Sequence, residues 1–130
     1  MVRTIVRYLK IYPFSEPMKI AVTGTGYVGL VAGACFAELG NYVVCVDIDE
    51  DKINKLNNSI IPIYEPGLEK LIVKNKREGR LKFTADLKEA IKESDIIFIC
   101  VGTPPKKNGE ADLSYVENVA RAIAEVMDSY

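Results

Sequence analysis

The chain has no histidine, no tryptophan, three cysteines and a net charge of −1 over 130 residues. Each shortage closes a class of function. Without histidine there is no imidazole for general-base chemistry or metal ligation, and Cys35, Cys45 and Cys100 form no close ligand pair. All three cysteines lie inside apolar helix or strand patterns. They read as reduced core thiols of a cytoplasmic protein rather than a disulfide framework, and Cys35 in mid-helix as core rather than a nucleophile. A charge near neutral offers no electrostatic case for nucleic acid or an anionic membrane. No apolar run approaches the roughly 18 residues of a membrane span. What remains is 48% apolar and 27% charged residues, an ordinary balance for one globular domain large enough to bury a core.

Against that plain background one stretch stands out, VTGTGYVGLVAGACFAELG at residues 22–40. Its glycines Gly24, Gly26 and Gly29 have the spacing G-x-G-x-x-G. Such a pattern is weak alone, so its flanks decide. Residues 18–23 (MKIAVT) read as a buried parallel strand, and residues 30–39 as a closely packed helix stopped by Gly40. Residues 41–49 (NYVVCVDID) form a second apolar strand ending in Asp47, 18 positions beyond Gly29. A ribose-binding acid is expected at a spacing of about 20.

Each residue type has a physical reason. Gly24 permits the tight turn, Gly26 lets a pyrophosphate approach the backbone, and Gly29 lets the helix pack near the strand. The open amides and positive dipole end of the helix face the phosphates. Asp47 can accept hydrogen bonds from both ribose hydroxyls. A 2′-phosphate would meet its charge, and no arginine occupies that turn, so NAD is favoured over NADP. The bland alternative, a tight strand–helix junction with Asp47 capping the next helix, needs the same register by coincidence.

Along the rest of the chain, Asp49 reads as the cap of a helix carrying Ile53 and Leu56 and stopped by Asn57 and Asn58. Lys52 emerges on its first turn, either towards the ribose and adenine-side phosphate or into solvent. A proline-broken loop, residues 59–65, precedes a helix with Pro66 at its first position and Leu68, Leu71, Ile72 and Asn75 on one face. Residues 80–84 (RLKFT) form a short strand, and a short helix runs through Leu87, Ala90 and Ile91. Residues 95–102 (DIIFICVG) form the most apolar strand, expected to be buried on both faces. A loop follows, with Asp112 capping a last helix whose apolar face is Val116, Val119, Ala120, Ile123, Ala124 and Met127.

The order is β-α-β-α-α-β-α-β-α. It predicts an α/β, Rossmann-type, doubly wound parallel sheet with strand order 3-2-1-4 and a ligand crevice at the carboxyl ends of strands 1 and 4. Residues 101–105 fall on the crevice rim, where Thr103 can offer a hydroxyl to the cofactor; a plain strand–helix connection would explain Pro104 and Pro105 equally well. Residues 1–17 differ in character, with Arg3, Arg7 and Lys10 against Glu16 and the breakers Pro13 and Pro17. They read as an extension ahead of a natural start at Met18, with residues 18–130 as the NAD-binding domain.

Three stretches carry the chain from a fold to a family: KIAVTGTGYVGLVAGACFAELG, PIYEPGLEKLI and FICVGTPPKKNGEADLSYV. Together they resemble the amino-terminal part of the UDP-glucose/GDP-mannose dehydrogenase family, over residues 18 to about 127. The resemblance implies a two-step, NAD-dependent oxidation of the primary alcohol of a nucleotide sugar to a carboxylate, with the IYEPGL stretch tilting towards UDP-glucose. It places the cofactor contacts on Gly24, Gly26, Tyr27, Val28, Gly29, Asp47, Lys52 and Thr103. It also implies homo-oligomers, through parts beyond this chain.

The family's catalytic cysteine motif (G-x-C-F-P-K-D), its N-P-E-F-L stretch and its S-T-V-P-V-G-T segment do not occur in these 130 residues. The chain therefore reads as a domain truncated before its last strands, with no catalytic residue, inactive alone. Its fourth strand would then form a long, flat, apolar edge, prone to aggregation or swapping. Two rivals remain. One is a dehydrogenase of the same family acting on UDP-N-acetylmannosamine or GDP-mannose. The other is a standalone NAD-sensing Rossmann regulatory domain, which leaves IYEPGL and VGTPP unexplained.

Overall fold

In a computed structural model, which describes residues 16–127, the chain forms a parallel sheet flanked by helices on both faces. The strands are β1 (Lys19–Thr23), β2 (Tyr42–Val46), β3 (Leu81–Thr84) and β4 (Ile96–Ile99). The helices are α1 (Tyr27–Glu38), α2 (Glu50–Asn57), α3 (Leu68–Arg77), α4 (Leu87–Lys92) and α5 (Ser114–Val126). The sheet order is β3-β2-β1-β4, all parallel, as the alternation of elements predicts. Val22 pairs with Cys45 on one side and Phe98 on the other, which sets the register of the whole sheet. The reading of residues 1–17 lies outside the described residues except at Glu16 and Pro17.

Alternation along the strands divides the core unequally. Ile20, Val22, Val43, Cys45, Leu81 and Phe83 face α1, α2 and α3 and form the larger cluster with Leu30, Ala34, Leu56, Leu68 and Ile72. The smaller cluster on the opposite face has Ala21, Val46 and Ala90 as its buried members, with Val44, Leu87 and Ile97 beside them. There α4 and α5 leave part of the sheet uncovered, and a hollow of about 500 Å³ opens over Tyr42, Val44 and Lys82. Most of the apolar stabilisation, at about 25 cal/mol per Å² removed from water, therefore comes from one side of the sheet.

Polar groups fasten the helices of the well-packed side. Asn75, fully buried, donates to Glu38 (3.0 Å) and to the Leu71 carbonyl (2.9 Å) and accepts from Arg80 (2.8 Å). Lys74 bridges the same Glu38 at 2.8 Å. The Lys76 ammonium closes the C-terminal end of α2 through the Leu56 and Asn57 carbonyls at 2.9 and 2.6 Å, the favourable place for a cation on a helix.

Four expectations need correcting. Pro66 does not open α3: Gly67 at φ +90 is the cap, so Pro66 stands in the preceding turn and the helix starts at Leu68. The N-cap position of α5 falls on Leu113, which makes no side-chain cap bond, rather than on Asp112, whose amide donates to the Pro104 carbonyl at 2.8 Å. Its carboxylate still accepts from the Ser114 amide at 2.9 Å. The face of α5 is narrower than the periodicity suggests, with Ile123 buried, Val116 and Val119 half-buried, and Ala120, Ala124 and Met127 exposed. β4 is neither long nor buried on both faces: it has 4 residues, and Ile96, Phe98 and Ile99 are each more than a third exposed. It is the last strand of the sheet among the described residues, so one side of each of these residues has no neighbour.

One close approach sets how near α1 lies to the sheet. A Cβ added to Gly33 would stand 2.5 Å from the Cys45 sulfur. Gly33→Ala is therefore expected to destabilise the fold by about 1–3 kcal/mol through overpacking, despite the better helix propensity of alanine. Cys45→Ala in the same chain should recover much of the loss by removing the sulfur. Denaturant midpoints check this; strictly additive losses would show that the contact does not limit the packing.

Candidate functional site

The turn joining β1 to α1 is shaped by what its glycines touch. Gly24 leaves the strand at φ +95, where a side chain is strained, and an added Cβ would lie 2.6 Å from the Cys100 carbonyl oxygen. At Gly29 an added Cβ would come within 1.9 Å of the Gly24 carbonyl oxygen and 3.1 Å of the Cys100 Cβ, so the helix sits directly on its own turn. Gly26 differs: a Cβ there would meet nothing within 4 Å. Packing does not demand this glycine. Close approach of a ligand to the backbone would.

Gly26 is also the N-cap of α1, and it makes no side-chain cap; the first turn of that helix carries no acid. By contrast Asp49 and Asp86 cap α2 and α4 through the Lys52 and Glu89 amides. The first amides of α1, those of Tyr27, Val28 and Gly29, have no acceptor within the helix. With the positive end of the dipole they suit an anion. Tyr27 and Val28 are both exposed beside this opening.

Asp47 follows β2 directly, on the neighbouring side of the turn. Its Oδ2 accepts from the Thr25 amide (2.8 Å), the Thr25 hydroxyl (2.6 Å) and the Lys52 ammonium (3.0 Å), while Oδ1 accepts from the Asp49 amide at 3.1 Å. Burial alone would raise the pKa of this carboxyl, but the Thr25 hydroxyl and amide, Lys52 and Asp49 outweigh it and hold it at about 2. Asp47 is therefore a fixed anion and an acceptor only. Oδ1, with one donor, has the capacity left for a ligand hydroxyl. Lys52, the more exposed member of the ion pair, keeps further N–H groups for the same ligand.

The structure thus brings Gly24, Gly26, Tyr27, Val28, Gly29, Asp47 and Lys52 to one end of the sheet. Val101, whose amide abuts Gly24, starts the loop that leads to the exposed Thr103, for which no hydrogen bond to the other site residues is seen among the described residues. Two residues escape a reading of the sequence. Thr25, buried and bonded twice to Asp47, is the unspecified position between two glycines; its hydroxyl beside a later acid was the available signal. Glu65, in the proline-broken loop, accepts a hydrogen bond from the Tyr27 hydroxyl. The thiols are not candidates for nucleophilic chemistry, since burial raises Cys35 and Cys100 and pushes Cys45 up to about 12.

Because the folded pKa of Asp47 lies below its ordinary value of 3.8, its contribution to stability is complete above about pH 5 and is lost as pH falls towards 2. Thr25→Val keeps the shape and the amide bond but removes the hydroxyl. It should cost about 1–2 kcal/mol at neutral pH and raise the Asp47 pKa, and the cost should shrink towards pH 2. Denaturant unfolding at pH 7 and pH 2 measures both. The same cost at the two pH values would assign the loss to packing instead.

Known proteins are similar to this chain in sequence and fold. Residues 18–130 match the model of the UDP-glucose/GDP-mannose dehydrogenase family, NAD binding domain. The chain is 62% identical over 112 residues to the UDP-glucose 6-dehydrogenase TuaD of Bacillus subtilis, covering 86% of this chain and 24% of that protein. Among solved structures it is similar to a GDP-mannose dehydrogenase from Pseudomonas aeruginosa, with a TM-score of 0.81 and 47% identity over 84% of this chain and 25% of that one. A UDP-D-ManNAc dehydrogenase from Pyrococcus horikoshii gives 0.79 and 41% over 85% and 26%. The chain spans about a quarter of the length of these relatives. Among the described residues no helix is long and apolar enough to cross a membrane. With its glycine turn, its strand order and its ionised acid in place, the chain belongs to the UDP-glucose/GDP-mannose dehydrogenase family, and residues 18–130 are its NAD-binding domain.

Proposed function

We propose that this chain is the NAD-binding portion of a cytoplasmic UDP-glucose 6-dehydrogenase, which oxidises UDP-glucose to UDP-glucuronate in two NAD-dependent steps. The observation that carries the cofactor half is the Asp47 carboxylate, held ionised by Thr25 and Lys52 beside the uncapped end of α1. In this reading the amides of Tyr27, Val28 and Gly29 take the pyrophosphate across Gly26, and Gly24 and Gly29 set the turn. Asp47 and Lys52 take the adenosine ribose, and Thr103 meets the cofactor from the opposite rim. NAD, when bound, supplies the acceptor for the hydride lost by the sugar alcohol. The residues of this chain bind and orient it; catalytic groups and most sugar contacts come from outside these 130 residues, and the chain alone is inactive.

The choice of UDP-glucose rests on the 62% identity to a UDP-glucose 6-dehydrogenase and on Tyr64 before EPGL. A second reading, GDP-mannose or UDP-N-acetylmannosamine, is supported by the structural similarity to dehydrogenases of those sugars. Turnover by the full-length protein with each nucleotide sugar in competition separates them. Homo-oligomers belong to that full-length protein in the same reading.

Thermal denaturation of the chain with NAD, NADP or neither tests the cofactor half. NAD at 100 times its dissociation constant should add about 2.7 kcal/mol of stability, and NADP distinctly less. Asp47→Asn should weaken NAD by roughly 1–3 kcal/mol, the range for a hydrogen bond to a charged group, and NADP by less. Equal losses for the two cofactors would remove Asp47 as the selecting residue.

A further inference from the structure

The IYEPGL stretch marks the family, yet the site described so far gives it no task. Its acid reaches the site. The Tyr27 hydroxyl, on the first residue of α1, donates to the Glu65 carboxylate, 38 positions further along the chain. Residues 59–67 thereby cross back from between α2 and α3 to the open end of α1.

The two ends of that segment are firmly held. The Ile60 amide donates to the Lys55 carbonyl at 2.8 Å, and Lys76 holds the Ser59 hydroxyl at 3.1 Å. At the other end the Leu68 amide donates to the Glu65 carbonyl at 3.0 Å. Ile61 and Ile63 rest on the core, while Ile60 and Tyr64 project into solvent. The segment bounds a hollow of about 890 Å³. Ser59 at φ +61 enters it in the left-handed region, at a conformational cost that its side chain does not relieve as glycine would. A segment strained at its entry and partly exposed between its two ends gains order from a side-chain bond at Glu65, its far end.

Resting on the cofactor reading above, we infer that Glu65 is a positioning residue for the dinucleotide site: it holds the Tyr27 ring beside the open amides of α1 and couples the order of residues 59–67 to occupation of that site. The chemistry supports the pairing. Tyr27 has few rotatable bonds, so one hydrogen bond at its tip fixes the ring that flanks Gly26. The neutral phenol presents a donor to the Glu65 carboxylate at the open end of α1. Glu65 acts through Tyr27 and needs no contact with the ligand.

The test uses the whole 130-residue chain, with NADH as the probe, in four forms: unaltered, Tyr27→Phe, Glu65→Ala and Glu65→Gln, together with the Phe/Ala double variant. Amide hydrogen exchange over residues 59–67 and the NADH dissociation constant are measured on each, with the thermal midpoint as the control for folding. Tyr27→Phe and Glu65→Ala should each speed exchange of the segment and weaken NADH about 3- to 10-fold, a fraction of what a hydrogen bond to a charged acceptor is worth because the effect on the ligand is indirect. The double variant should be no worse than either single one. Glu65→Gln, which keeps an acceptor oxygen, should restore both readouts. NADH should slow exchange of the segment in the unaltered chain and not in Tyr27→Phe. Unchanged exchange in Tyr27→Phe, or additive losses in the double variant, would overturn the inference while leaving the cofactor reading intact. Failure of the unaltered chain to bind NADH would overturn both.

Discussion

The contact between the turn at Gly24 and the end of β4 fixes everything around it. The Cys100 carbonyl lies so close that any side chain on Gly24 would collide with it, and Gly29 rests on the Gly24 carbonyl in turn. Two backbone segments and the first turn of a helix therefore share a space that normally holds one side chain. Gly33 extends the same closeness one turn further, against the Cys45 sulfur. With α1 pressed this near the sheet, its open amides emerge level with the carboxyl ends of β1 and β2. Asp47 then stands beside them without any further folding of the chain. The site is a consequence of packing at small residues, and close packing of that kind tolerates little change.

The electrostatics follow from that placement. A half-enclosed carboxylate with no donors would rise in pKa and lose its charge. Asp47 instead gathers donors from three directions: the turn through Thr25, the start of α2 through Asp49, and the side chain of Lys52. The protein has already met the desolvation of this anion before any ligand arrives. On the proposed reading, a ribose diol then adds hydrogen bonds to an existing charge, and a 2′-phosphate meets one that cannot readily be neutralised. Lys52 tempers this only locally, since one of its N–H groups is held by Oδ2.

Much of this could be read from the chain, because the informative residues are ones whose role depends on local geometry. G-x-G-x-x-G between a β-branched strand and an unbroken helix dictates the turn, and an acid after the next strand lies near it in any parallel sheet. Strand order, the helix alternation and the cap at Asp49 follow in the same way. What escaped depends on tertiary partners. The burial of β4 on both faces fails although its edge position is expected from the strand order, because an apolar run does not show how far the helices cover a strand. Pro66 does not hold the first helical position because the left-handed Gly67 intervenes as the cap and Leu68 opens α3, and the α5 helix begins one residue later than the Asp112 pattern suggests. Thr25 and Glu65 were invisible for a related reason. Their value comes from Asp47 and Tyr27, 22 and 38 positions away.

The unequal core adds a functional asymmetry. β1 and β2 are interior strands with the larger cluster behind them, so Thr25 and Asp47 stand on the best-packed part of the molecule. Thr103 follows β4, an edge strand more than a third exposed at three of its positions. On the proposed reading, the end of the crevice that grips the adenosine ribose is preorganised, and the rim nearer the chemistry is not. Preorganisation lowers the ordering cost of binding. The chain is therefore built to select and hold the part of the cofactor that takes no part in hydride transfer. In the same reading the reacting end is served by residues outside these 130, so recognition and reaction are separated along the polypeptide as well as along the cofactor.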